Sequence, residues 1–289
     1  MQIEQLADKL GSAFENVAIA DRPVFIRGWI AAQDEKDRVT LTALLGVFDF
    51  QAPPSEKHLV VLVHGIRTHA VWQEAVKQMF DGTGVTVIPI GYGFLDVVRF
   101  LIPLARGNAI KRAKKEFKAI KLQHPNASIS VIAHSFGTYL ITKILCPDQG
   151  IRLKRLILCG SIIPVDYDWG SIQGLPHRDS VLNDVGSKDA WPVLANTVTW
   201  GFGPSGTYGF KQFAVTDRFH NLSHSDFFSD GWVRKFWLPF IRYGEITPSD
   251  WEVVRPSPPY WMDVLTYIHL KYLLLSVGPT SFLLFNIFK

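Results

Sequence analysis

Residues Val131 to Gly137 read Val-Ile-Ala-His-Ser-Phe-Gly, a buried-looking apolar run that meets a serine and then a glycine two positions on. Ser128–Ile132 has the apolar continuity of a strand covered on both faces. Beyond the serine, Tyr139, Leu140, Ile144 and Leu145 recur at helical spacing until Pro147 stops the run. A strand that passes straight into a helix, with one serine between them, restricts the chain to α/β architecture. It also makes Ser135 a candidate nucleophile. A serine on so sharp a turn is held in strained φ/ψ and needs small neighbours at −2 and +2, where adjacent strands crowd it. Gly137 meets that need, and Ala133 carries one methyl more than the glycine usual at −2. The competing reading, an ordinary loop serine, is weakened by the strand and helix on either side.

A second signal lies upstream. Leu59–Val63 is a continuous apolar run of the kind found in parallel sheets, and it leads into His64-Gly65-Ile66-Arg67-Thr68. If Ser135 attacks a carbonyl, the oxyanion needs backbone N–H donors. The expected pair is the N–H of Phe136, after the serine, and one from the loop after His64-Gly65, Ile66. Gly65 lets that loop bend inward, although a lone His-Gly pair would read as a plain tight turn.

With these two segments, His-Gly-Ile-Arg and Ala-His-Ser-Phe-Gly-Thr, the chain resembles the α/β-hydrolase superfamily, in particular its lipase and serine-esterase-like members. The resemblance covers about Leu59 to Tyr243 in the order of its elements. It implies a doubly wound, mostly parallel sheet and a triad in the chain order Ser, Asp or Glu, His. The acid and base therefore belong downstream of Ser135. Asp189 follows Gly186 at the Gly-x-x-Asp spacing such proteins tend to show, and Asp184, still in or at the edge of a strand, is the alternative; a cap for a helix beginning near Trp191-Pro192 is the plain structural role. For the base, His224 in His-Ser-Asp-Phe-Phe is preferred to His220. Both are set on a loop after a last strand expected over Phe210–Val215. His64 and His134 read as packing or supporting residues, with His64 also beside the substrate. His177 and His269 have no evident partner.

The alternation of signals gives further strands at Val85–Ile88, Leu153–Cys159 and Ser180–Asn183. Residues 1–57 are expected as an N-terminal extension whose segments Pro23–Ile30 and Arg38–Phe50 are antiparallel edge strands. Residues 58–244 form the catalytic domain, and 245–289 an apolar C-terminal tail. Only 54 positions separate Ser135 from Asp189, so any cap inserted there is small. Cys146 and Cys159 read as buried free thiols in a reducing, cytoplasmic setting, since no secretory signal opens the chain. No cluster has metal-ligand spacing, so neither metal nor cofactor is expected.

Two segments bear on the partner. Lys111, Lys114, Lys118 and Lys121, with Arg112 and Lys115, share a helix with an apolar stripe of Ile110, Ala113, Phe117 and Ile120. This is either the solvated face of a sheet-covering helix or a contact with an anionic membrane surface; it lacks the interleaved aromatics of a nucleic-acid platform, so no nucleic acid is expected. The tail, Tyr260–Lys289, has no formal charge from Tyr272 to Phe288 but is broken by Gly278-Pro279. It reads as a membrane-associating segment, a lid, or a homodimer contact. The expected activity is hydrolysis of a small-molecule or lipid-like carboxylic ester through an acyl-enzyme. Thioester or amide hydrolysis is the alternative within that class, and a non-catalytic binding module the alternative outside it. Arg67 would either hold an anionic group of the substrate or brace the loop through a salt bridge.

Overall fold

The computed structural model describes residues 12, 29–30, 32–41, 57–65, 71–91, 100–145, 151–172, 175, 178–251 and 253–272. The chain divides into two compact units, Met1–Glu56 and Lys57–Lys289. In the first, residues 29–30 and 35–41 are helical, so the described ends of the expected strands Pro23–Ile30 and Arg38–Phe50 are helix instead, while 23–28 and 42–50 lie outside the described residues. The reason is local. Asp34 accepts the Asp37 N–H on Oδ1 at 2.9 Å and the Arg38 N–H on its carbonyl at 2.9 Å, an N-terminal cap that starts a helix where the side-chain alternation suggested a strand. Ile30 and Leu41 are buried with Trp29 packed against them.

The second unit is built on six parallel strands: β1 (His58–Val63), β2 (Val85–Ile90), β3 (Ser128–His134), β4 (Arg155–Cys159), β5 (Val181–Gly186) and β6 (Thr216–His220), in the spatial order β2-β1-β3-β4-β5-β6. Pro89, which donates no ladder hydrogen bond, is tolerated because β2 lies at the edge. Helices cover both faces. On one side, α2 (Gly107–Gln123) and α3 (Phe136–Ile144) bury Ala113, Phe117, Leu140 and Ile141 against Val61, Val131 and Leu156. On the other, α1 (Val71–Met79) buries Val76 against Val60, Leu62, Ile132 and Ile157. Successive strand residues alternate between these two cores, which is why the strands read as unbroken apolar runs. This is the doubly wound parallel sheet expected from the sequence.

After β5 come α4 (Trp191–Val198) and the short α5 (Ser205–Tyr208). The last strand departs from the expected Phe210–Val215 and begins at Thr216. Gly209 and Lys211 take positive φ of 78° and 55°, and the N–H groups of Phe210 and Lys211 donate to Asp217 Oδ2 at 2.9 and 2.8 Å instead of to a neighbouring strand. The true strand, Thr-Asp-Arg-Phe-His, is disguised by polar residues that are paired inside the protein. After the His224 loop, helix α6 begins at Asp230–Trp232, widens into a π-helical turn over Val233–Trp237 and closes as Leu238–Tyr243, burying Phe236, Trp237 and Phe240 with α1.

The start of the expected tail is part of this unit. Helix α7 (Tyr260–Tyr267) packs on α4, with Met262 buried, Tyr208 OH donating to Asp263 Oδ1 at 2.6 Å, and Lys271 Nζ donating to Asn196 O at 3.1 Å. Residues 273–289 lie outside the described residues. Among the described residues, no helix is long and apolar enough to cross a membrane.

Candidate active site

Ser135 sits between β3 and α3 with φ 55° and ψ −123°, a backbone conformation that an L residue holds only when its surroundings impose it. The surroundings are close-fitting. A Cβ on Gly137 would run into the carbonyl oxygens of Val63 and His64, and one on Gly65 would come within 2.9 Å of Ser135 Cβ and 3.2 Å of its Oγ. At −2, the extra methyl of Ala133 is simply buried in the core beside α3. The turn is pinned by the Ser135 N–H, which donates to Cys159 O at 3.1 Å, and by Thr138 Oγ1, which donates to Ser135 O at 2.6 Å. The Phe136 N–H opens helix α3, and its ring is fully buried against Phe100, Phe202 and Tyr139. Ile66 and Arg67 lie outside the described residues. His64 is buried and its Nδ1–H donates to Gly65 O at 2.6 Å, which braces this turn; burial lowers its pKa, so the ring favours the neutral state.

Asp189 and His224 meet at this edge of the sheet. Asp189 is wholly buried just past β5, and its Oδ2 lies 2.8 Å from His224 Nδ1. Its Oδ1 accepts the Trp191 N–H at 3.0 Å, so the residue also serves the start of α4. Thr207 Oγ1 donates to the Asp189 carbonyl at 2.6 Å. The loops are laced together by main-chain bonds from Ser187 N–H to His220 O (2.9 Å) and from Lys188 N–H to Leu222 O (3.0 Å). Gly186 permits this closeness, since a Cβ there would lie 2.7 Å from Leu222 O.

Two further residues adjoin this pair: His134, read from the sequence as a packing or supporting residue, and Gly160, which the sequence reading passed over. His134, directly before the serine, places Nε2 2.9 Å from the carbonyl oxygen of His224, with the two rings 4.5 Å apart. Gly160, at the end of β4 with φ 54°, lies beneath the His224 ring: a Cβ would be 2.8 Å from both Cε1 and Nδ1. Trp191, 62 % exposed, lies 6.1 Å from the His224 ring and forms one wall beside it. A glycine ending a strand that neighbours the serine strand was the one signal available for Gly160.

The rejected alternatives occupy a separate cluster. Asp184 lies within β5 and accepts from Arg218 Nε (2.7 Å) and Nη2 (2.9 Å), from Trp237 Nε1 (2.7 Å), and lies 3.1 Å from His220 Nε2. All four residues are buried. Burial alone would raise the Asp184 pKa, but Arg218 and the His220 hydrogen bond hold it well below the usual carboxylate range. His220 ends β6 and so does not lie on the loop where it was expected. Cys159 is buried, its thiol pushed up in pKa by desolvation, and it donates to Ala133 O; Cys146 and His177 lie outside the described residues. The basic helix α2 turns Ala109, Ala113, Phe117 and Ile120 into the core and leaves Lys111, Lys115, Lys118 and Lys121 exposed. Among the described residues, no group of three or more His, Cys, Asp or Glu could hold a metal ion.

No protein-family model matches the sequence, and no curated protein does. Several solved structures are similar to part of the chain. An uncharacterized protein from Bacillus cereus is 13 % identical with a TM-score of 0.45, over 73 % of this chain and 71 % of that one. A cold-adapted esterase from an Arctic intertidal metagenomic library is 19 % identical with a TM-score of 0.40, over 60 % and 77 %. An α/β serine hydrolase without a lid from Xanthomonas campestris is 14 % identical with a TM-score of 0.39, over 72 % and 88 %.

Proposed function

We propose that the protein is a serine hydrolase that cleaves carboxylic esters, with a lipid-like acyl group as the favoured substrate. The observation that carries this reading is the strained Ser135 elbow at the same edge of the sheet as the hydrogen-bonded pair of buried Asp189 and half-buried His224. In this reading His224, whose Nδ1 is engaged by Asp189, takes the Ser135 proton on Nε2 as Oγ forms a bond to the substrate carbonyl carbon. The tetrahedral oxyanion is held by the N–H of Phe136 and, as the resemblance implies, that of Ile66. Collapse expels the alkoxide, which receives the proton from His224 and leaves an acyl-Ser135. Water repeats the sequence and releases the acid. Asp189 orients the ring through Nδ1 and stabilises the imidazolium. Arg67 would meet an anionic part of the substrate, and the exposed lysines of α2, with the apolar segment after Tyr272, would bring the enzyme to an anionic membrane surface.

Fluorophosphonate labelling and turnover of a p-nitrophenyl ester series test the reading. Ser135→Ala should abolish labelling and lower turnover by about 10⁴- to 10⁶-fold with the fold intact, as loss of a triad nucleophile does. Labelling retained in folded Ser135→Ala, or no labelling of the native protein, would overturn the assignment, the latter in favour of a non-catalytic binding module. Faster turnover of thioesters or amides would keep the mechanism and change the substrate class.

A further inference from the structure

We propose that His134 is a positioning residue for this reaction: its Nε2–H anchors the main chain at His224 and so sets how the His224 imidazole faces Ser135. The inference rests on the serine-hydrolase reading and adds to it a second point of attachment for the base.

A carbonyl oxygen only accepts, so the 2.9 Å contact to His224 O fixes the hydrogen of His134 on Nε2. The opposite nitrogen, Nδ1, is buried with no hydrogen-bond partner, and a bare acceptor is the less costly group to leave there than an N–H or a cation. Burial and the neighbouring His224 both lower the pKa of His134, which keeps it a neutral donor with one tautomer. The ring has little freedom to turn. Trp72 (6.0 Å), Phe228 (4.9 Å) and His224 (4.5 Å) pack around it.

The bond matters because of what the others leave undone. Asp189 holds His224 at Nδ1 of the ring, and that single hydrogen bond still permits the imidazole to swing with its backbone. The ties on either side of the residue, Leu222 O to the Lys188 N–H and the Ser223 N–H to Asp226 Oδ2, fix the loop without fixing His224. His134 supplies the missing point, and it does so from the residue adjoining the serine. The base is thereby registered against the nucleophile's own strand.

The test compares His134→Leu, His134→Phe and His134→Gln in the full chain, using p-nitrophenyl butyrate turnover, the rate of fluorophosphonate inactivation, and thermal midpoints. Loss of the donor in His134→Leu should lower kcat by roughly 10- to 100-fold, the range for a base displaced by up to about 1 Å, with KM within about twofold. Inactivation should slow in the same ratio. His134→Gln, which returns an N–H near the same place, should recover at least about tenfold of that loss, whatever its effect on the midpoint. His134→Phe, which keeps the ring volume, serves where His134→Leu does not fold and should be as slow. Wild-type kcat in either folded variant lacking a donor, or a folded His134→Gln no faster than they are, would overturn the proposal. A native protein that does not react with fluorophosphonate would instead remove the serine-hydrolase reading, and this inference with it.

Discussion

Gly160→Ala separates the two reasons a glycine can be required. Gly160 has φ 54°, and a methyl there would stand 2.8 Å from His224 Cε1 and Nδ1 and 3.2 Å from His134 Nε2. Ordinary van der Waals contact begins near 3.4 Å, so the imidazole must retreat by about 0.6 Å or give up its hydrogen bond to Asp189. Misplacement by about 1 Å costs on the order of 10²-fold in rate, which sets the expected fall in kcat at about 30- to 100-fold. The left-handed backbone adds roughly 1–2 kcal/mol of strain, and at about 2–4 °C per kcal/mol for a domain of roughly this size the thermal midpoint should drop by about 2–8 °C. Gly82 is the control. Its φ is 72°, yet nothing lies within 4 Å of where its Cβ would be, so Gly82→Ala should lower the midpoint similarly and leave kcat alone. Paired measurement of p-nitrophenyl butyrate kcat and the melting midpoint decides the matter. A Gly160→Ala enzyme with wild-type kcat, or a Gly82→Ala enzyme equally slow, would refute the reasoning.

His224→Ala should be about as inactive as Ser135→Ala, whereas His220→Ala should turn over normally per folded molecule while losing about 1–3 kcal/mol in chemical denaturation, since it strips a partner from buried Asp184; the reverse pattern would exchange the roles of the two histidines. Because the folded-state pKa of Asp184 is depressed, its stabilising effect is complete above its unfolded pKa, near 4, and is lost as pH falls from there toward the lowered value. Asp184→Asn should therefore cost about 3–5 kcal/mol at neutral pH by stranding Arg218 and flatten the acid limb of a stability–pH curve, a limb that would persist unchanged if Asp184 did not carry it. A chain ending at Tyr272 should keep its activity on soluble esters but lose flotation with anionic vesicles, and flotation of the full chain should weaken with salt as the α2 lysines are screened over about 8 Å at physiological ionic strength; equal flotation of the two chains would remove the segment after Tyr272 as a membrane contact.

The strands that were easiest to read were those buried on both faces, β1 and β3, where apolar continuity and a following turn coincide. β6 was hidden because its polar residues are paired with partners on β5, Asp217 with Asn183 and both Arg218 and His220 with Asp184, a compensation that hydropathy along one segment cannot register. The helix at residues 35–41 was hidden by a single capping aspartate. In the candidate site, Ser135, Asp189 and His224 could be named because each stands at a strand end with a recognisable spacing. Gly160 and His134 could not be assigned in the same way, since what they do depends on a loop some 60 to 90 positions away in the chain. For Asp189, one oxygen meets the start of α4 and the other the His224 ring, a division that spacing along the chain does not reveal.

The lacing of the β5 and β6 loops gives the catalytic machinery a seam. Asp189 and His224 are carried by two adjacent loops that follow parallel strands and are closed by the main-chain bonds of Ser187 and Lys188, and Ser135 belongs to the strands before them. The crossover between β4 and β5 is where the chain passes from one half to the other. Two fragments divided there would each lack a working site, one holding Ser135 and the other the preassembled Asp189–His224 couple. On the proposed function, ester hydrolysis by a mixture of the two would count reassembled molecules directly and report fragment complementation.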